Sequence, residues 1–154
     1  MGKEIERKFL VTGTEWKHLG EKMHIWQGYI SSIDGTVVRV RIAGERAYLT
    51  VKGKTAGIQR SEFEYPIPVE DARQMLKELC AENQVEKYRY IVQFKGFIWE
   101  VDEFLGKNAG LVIAEVELED ENQKPDIPGW IGEEVTGHHR YYNSSLAKHP
   151  YSRW

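Results

Sequence analysis

Acidic and basic side chains recur along this chain in pairs two residues apart. Glu4 and Glu6, Glu62 and Glu64, Glu100 and Asp102, and Glu115 and Glu117 supply the acids. Lys8, Arg39 with Arg41, Lys52, Arg60, and Lys87 with Arg89 supply the bases. Paired carboxylates suit Mg²⁺ or Mn²⁺, which take hard oxygen ligands. Arginine and lysine clusters suit phosphate oxygens, and a guanidinium binds them two at a time. The two chemistries together describe a metal-bound polyphosphate. These seven bases exceed what one phosphate needs, whereas a linear triphosphate uses them along its length.

A spacing of two is the period of a β-strand, whose side chains alternate between faces. Eight strands are expected, near 3–11, 24–32, 36–43, 46–53, 60–67, 85–95, 97–104 and 112–119. Asp34-Gly35, Gly44-Glu45 and Lys95-Gly96 make short turns between neighbours, so the pairing is antiparallel. Opposite the charges stand apolar residues such as Ile5 and Phe9, Val38 and Val40, Phe63 and Tyr65, and Trp99 and Val101. A single strand of this kind has its charges in water. The repetition of like-signed pairs demands more, because neighbouring like charges repel unless something compensates them. A closed barrel with the charges inside meets that demand if its interior is wet. Burying each ion costs several kcal/mol, against a typical total stability of about 5–15 kcal/mol. An eight-stranded closed sheet is about the smallest that can hold a small ligand.

One helix is expected over 69–83, with Ala72, Met75, Leu76, Leu79 and Cys80 on its apolar face and Glu70 and Asp71 at its start. Thr14 to Leu19 suits a short helix, and Tyr141 to Lys148 a last turn or two. Pro125, Pro128 and Gly129 mark the stretch from Ile127 as loop. At 154 residues the chain reads as one domain, 1–154, in the α+β class but mostly β. A net charge of −3 argues against a general nucleic-acid binder. The one cysteine, Cys80, reads as core, and with no internal disulfide to form it fits a cytoplasmic location. No apolar run suits a membrane span, and the charged N-terminus does not suit a signal peptide. Arg7 interrupts the apolar outer face and should lie at the surface or in an ion pair. Trp16, Trp26 and Trp154 leave room for a homodimer surface.

The ordered motifs resemble those of the CYTH, or triphosphate tunnel metalloenzyme, superfamily. Glu4-Ile5-Glu6-Arg7-Lys8 matches its ExExK signature, Arg39-Val40-Arg41 its RxR strand and Lys52 the lysine that follows. Arg60-Ser61-Glu62-Phe63-Glu64 matches RxExE, Lys87-Tyr88-Arg89 matches KxR, and Glu100-Val101-Asp102 and Glu115-Val116-Glu117 match the last acidic strands. The resemblance runs over roughly 2–146 and implies an eight-stranded antiparallel β-barrel enclosing a tunnel, acting on triphosphates with one or two divalent ions. It implies that Lys8, Arg39, Arg41, Lys52, Arg60, Lys87 and Arg89 hold phosphates. Glu4, Glu6 and Glu117 would ligate a first metal, with Glu115 and Glu62, Glu64 or Asp102 near a second or near the attacking water. Gly132 to Thr136 followed by Arg140-Tyr141 is similar to the compact bacterial branch, where a C-terminal helix lies across one mouth and Arg140 would reach the phosphates. Pro150 to Trp154 has no counterpart there.

Metal-assisted hydrolysis of a terminal phosphoanhydride follows, with Glu115, Lys87, Arg41 and Tyr29 as the catalytic candidates. Tyr29 would point inward with Gln27 and Ser31 and hydrogen-bond a phosphate-binding lysine. Inorganic tripolyphosphate is the expected substrate, because no residue looks like a base-recognition device. A nucleoside triphosphatase, a class IV-type adenylate cyclase, a thiamine triphosphatase and a non-catalytic polyphosphate-binding module are the alternatives.

Overall fold

The computed structural model describes residues 2–154, apart from the side chain of Ser32. Its strands are β1 (Gly2–Val11), β2 (Lys22–Ile33), β3 (Thr36–Ala43), β4 (Arg46–Lys52) and β5 (Gln59–Ile67). After helix α1 (Val69–Glu78) come β6 (Gln84–Phe94), β7 (Phe97–Phe104), β8 (Val112–Glu117) and β9 (Ile131–Glu134), then helix α2 (Asn143–Lys148). All the pairings are antiparallel, in the order β5-β4-β3-β2-β6-β7-β8-β1, and a further pairing of β5 with β1 closes eight strands into a barrel.

The turns form as their residues dictate. Asp34 and Gly35 both take positive φ, 53° and 80°, as do Lys95 and Gly96, 46° and 83°. Two successive positive φ values match the right-handed twist of a hairpin. A register shift between Tyr29 and Ser31 kinks β2 and leaves Tyr29 opposite Arg39 on the barrel wall.

β9 departs from the expected loop. β1 pairs with β5 only over Gly2 to Ile5, so its edge is free further on, and Ile131–Glu134 pairs there against Phe9 and Val11. α1 is shorter than the expected 69–83. Its end is held by the Gln84 side chain, which donates to the carbonyls of Leu76 (2.7 Å) and Ala81 (2.8 Å). Ala81 itself takes a φ of 50° and cannot continue the helix. Leu79 consequently leaves the apolar stripe and is exposed.

Most of the hydrophobic core lies outside the barrel, and one cluster plugs an end of its interior. Phe9, Trp99, Val101, Val116 and Leu118 on the outer wall pack under Trp16 and Trp130 from the connecting segments. Trp16 is therefore 1% exposed, against the reading of it as a surface aromatic, with its ring edge-on to Tyr90 at 5.0 Å and its Nε1 donating to the Gly13 carbonyl. Trp154 is exposed. α1 covers a second patch, where Ala72, Leu76 and Cys80 meet Val40, Ile42 and Ala47. Leu146 of α2 seals a third with Val85, Phe104, Leu111 and Ile113. Leu76→Ala should cost about 2–5 kcal/mol, the usual range for emptying a packed core site, read as a lower urea midpoint.

Candidate active site

The strand alternation that turns apolar residues outward turns the charges inward. They line a cavity of about 230 Å³, whose wall includes Glu4, Glu6, Lys8, Tyr29, Arg39, Arg41, Lys52, Arg60, Glu62, Glu64, Lys87, Arg89, Glu100, Glu115 and Glu117. Thus all but two of the expected site residues come together. The exceptions are Asp102 and Arg140. Asp102 is 2% exposed and spent on its neighbours: its Oδ2 lies 2.7 Å from Lys87 Nζ, and it takes a two-pronged hydrogen bond from Arg89 at 2.8 and 2.9 Å. Arg140 stacks its guanidinium 3.7 Å over the Trp154 ring, outside the cavity wall. The terminal segment that had no counterpart in the resemblance is what holds it there.

The charges are not evenly spread. Lys8, Arg39, Lys87 and Arg89 are buried, whereas Glu64 and Glu117 are exposed and Glu62 and Glu100 half-exposed. The C-terminal segment covers the end where the bases converge. Lys8 Nζ reaches the Tyr141 carbonyl at 3.4 Å and lies 5.1 Å from the Tyr142 ring centre, and Lys87 Nζ donates to Asn143 Oδ1 at 2.8 Å. The expected cap across one mouth is thus present, built from Tyr142, Asn143 and Ser144.

Several bases already have carboxylate partners. Lys52 contacts Glu4 at 3.0 Å and Glu62 at 3.6 Å, Lys8 contacts Glu115 at 3.5 Å, and Arg39 contacts Glu64 at 3.3 Å. Thr50, which the charge pattern did not single out, hydrogen-bonds both Glu64 and Arg39. Arg60 is held by backbone, donating to the carbonyls of Gly53 and Gly35. Arg7, as expected, pairs outside the tunnel, with Glu134 at 2.8 Å.

Arg41 differs from Arg39, Lys87 and Arg89. Among the described residues no carboxylate lies within ion-pair distance of it, and its Nε donates to Gln27 Oε1 at 2.9 Å. Burial and the neighbouring Arg39 and Arg89 push its pKa down, the mark of a cation short of negative charge. Arg39 adds a buried Nε with no partner. Burial also pulls Lys87 down to about 7, helped by Arg89 and Arg41 and opposed by Asp102.

The acids show the reverse deficit. Burial, with Glu115 and Glu4 beside it, raises Glu6 well above the usual carboxylate range. Glu117 rises through partial desolvation and the nearby Glu100, Glu4 and Glu62, and Glu62 through partial desolvation and Glu4. Glu115 goes the other way: burial acts to raise it, but Lys8 and Arg89 hold it at about 2. Tyr29 does not bond a lysine as expected. Its hydroxyl accepts from Gln27 Nε2 at 2.7 Å, and burial raises its pKa.

The barrel wall is therefore short of negative charge around Arg41 and short of positive charge around Glu6 and Glu117. Among the described residues no three acids already converge as a ready-made metal cage. The donor set still fits a hard divalent ion, since Glu4, Glu6, Glu62 and Glu117 offer only carboxylate oxygens, and three of the four are pushed up by mutual repulsion and burial.

Known proteins resemble this chain in sequence and fold. The family model described as the CYTH domain matches residues 2–151. A protein of Acetivibrio thermocellus named inorganic triphosphatase is 54% identical over 154 residues, covering 100% of this chain and 99% of its own. An inorganic triphosphatase of Nitrosomonas europaea is 37% identical over 148 residues, covering 94% of this chain and 96% of its own. A crystal structure of an inorganic triphosphatase superposes with a TM-score of 0.68 at 35% identity, over 96% of this chain and 95% of that one. With its match to the family model spanning nearly every residue and relatives at this identity, the chain belongs to the CYTH family.

Proposed function

We propose that this protein hydrolyses inorganic tripolyphosphate to pyrophosphate and phosphate in its tunnel. The observation that carries the reading is the basic end itself: Arg41 has no carboxylate partner, Arg39 has an unpaired buried Nε, and Lys87 and Arg89 lie beside them. The cluster carries more positive charge than the acids beside it offset, and a multiply charged anion would complete it. The relatives named inorganic triphosphatase act, by that name, on such an anion.

In this reading Lys8, Arg39, Arg41, Lys87 and Arg89 grip the phosphate chain and absorb the charge that develops on the transferring phosphoryl group. Lys52 and Arg60 hold its more exposed end. Water attacks the terminal phosphorus, the bridging P–O bond breaks, and pyrophosphate leaves. Mg²⁺ or Mn²⁺ held by Glu4, Glu6, Glu62 and Glu117 would screen the phosphate oxygens and acidify a bound water. Glu115 is a weak base at its depressed pKa, and its part is to orient Lys8 and Arg89. Asp102 serves the same end for Lys87 and Arg89 instead of binding metal. The capped basic end favours a bare phosphate chain over a bulky nucleoside there.

The test is phosphate release from tripolyphosphate, ATP, thiamine triphosphate and longer polyphosphate, with Mg²⁺, with Mn²⁺ and with chelator, beside an assay for cyclic AMP. Tripolyphosphate should be turned over fastest, and chelation should stop release. Turnover that survives chelation refutes the metal requirement. A faster rate on ATP moves the assignment to a nucleotide enzyme, and binding without turnover makes the protein a polyphosphate-binding module.

A further inference from the structure

Most of the tunnel's bases are held by acids, but Arg41 is held by an amide, and a second amide supports Lys87 beside its partner Asp102. Gln27 is 0% exposed, and every polar atom of its amide is engaged. Its Oε1 accepts from Arg41 Nε at 2.9 Å, and its Nε2 donates to Tyr29 Oη at 2.7 Å and to Asn143 Oδ1 at 3.4 Å. That same Asn143 Oδ1 accepts from Lys87 Nζ at 2.8 Å. The donors fix both amide orientations: an oxygen must face Arg41 in one case, and an oxygen must face Lys87 and the Gln27 amide nitrogen in the other. Arg41, Gln27, Asn143 and Lys87 thus form one continuous chain of hydrogen bonds from β3 through β2 to the first residue of α2 and on to β6.

We propose that Gln27 and Asn143 are positioning residues: a linked pair of neutral amides that fixes Arg41 and Lys87 for the triphosphate and ties their placement to the seating of α2. The proposal rests on the reading that Arg41 and Lys87 grip phosphate. Its physical basis, for Arg41, is that an amide orients a cation without neutralising it. A carboxylate in the place of Gln27 would hold Arg41 as firmly but would spend the charge that the phosphates need. The link to α2 follows from Leu146, 0% exposed in the cluster with Val85, Phe104 and Ile113, which anchors the helix that carries Asn143. A small displacement of a group that acts on the reacting atoms is felt more in the transition state than in binding.

Asn143 is the place to test this, because it is half-buried and its removal spares the wholly enclosed Gln27. In the full chain with tripolyphosphate and Mg²⁺, Asn143→Leu should lower kcat about ten-fold while KM moves less than about three-fold. Asn143→Gln, which keeps a neutral amide oxygen for Lys87, should recover part of that loss, whereas Asn143→Asp, which adds a charge there, should not. Thermal unfolding of Asn143→Leu and Asn143→Gln should match the parent. Wild-type kcat in Asn143→Leu, with Lys87→Ala inactive, overturns the relay alone. Equal losses in Asn143→Leu and Asn143→Gln also overturn it, since a purely structural role predicts no rescue by a neutral acceptor oxygen. Wild-type turnover in Lys87→Ala overturns the phosphate-grip reading beneath it.

Discussion

Arg41→Ala lowers kcat for tripolyphosphate by about 10³-fold, the scale of losing a guanidinium that meets transition-state charge on a phosphoryl group. The structure says why this loss should not be shared by folding. Arg41 has no carboxylate partner among the described residues, so alanine there leaves no buried anion stranded. It also relieves Arg39 and Arg89 of a like-charged neighbour, the repulsion that adds to burial in pushing Arg41 itself down. The urea midpoint of the metal-free protein should therefore stay level or rise slightly while turnover collapses. The one polar group left behind is Gln27 Oε1, which loses its Arg41 donor. Turnover within ten-fold of the parent, or a midpoint that falls along with turnover, would remove Arg41 from the centre of the site.

The contrast between Arg41 and its neighbours marks where the sequence stops being legible. Period-two charge placed Glu4, Glu6, Lys8, Arg39, Arg41 and the rest on one face, and the cost of burying so many ions required that face to be wet. The same alternation placed Trp99 and Val101 outside, and turn residues such as Asp34-Gly35 placed the hairpins. Alternation names a face but not the residue across the tunnel. It could not tell that Asp102 would be consumed by Lys87 and Arg89 while Arg41 went without an acid. Amides carry no charge pattern, so Gln27 stood out only as an inward neighbour of Tyr29, and Asn143 not at all. β9 was hidden because Pro125, Pro128 and Gly129 dominate the local signal. Its four residues are a strand only because β1 has a free edge beyond β5. Trp16 and Arg140 were misplaced for a related reason: their positions depend on what covers the barrel, and short irregular segments do the covering.

Asp102→Ala should destabilise the metal-free protein by roughly 3–5 kcal/mol, the usual cost of removing one partner from a buried ion pair. That is a large share of a typical total of about 5–15 kcal/mol. Asp102 is the shared counterion of Lys87 and Arg89, whose side chains are 1% and 10% exposed. Burial works against its charge, but those two cations win and hold its carboxyl far below the ordinary value of 3.8. A carboxylate with a depressed folded pKa contributes its stability above the unfolded value and loses it as pH falls toward the folded one. The penalty of the substitution should accordingly be full at neutral pH and shrink in strong acid. The same measurement separates two roles for Asp102. A metal ligand that repels its neighbouring acids would cost nothing when removed in the presence of chelator, and could even stabilise. An anchor for two buried bases costs its full amount there, because alanine leaves Lys87 to shed its proton and Arg89 to find Glu100 at 3.3 Å and Glu115 at 3.7 Å as its remaining partners. A urea midpoint unchanged by Asp102→Ala under chelation would return this residue to the metal side of the tunnel.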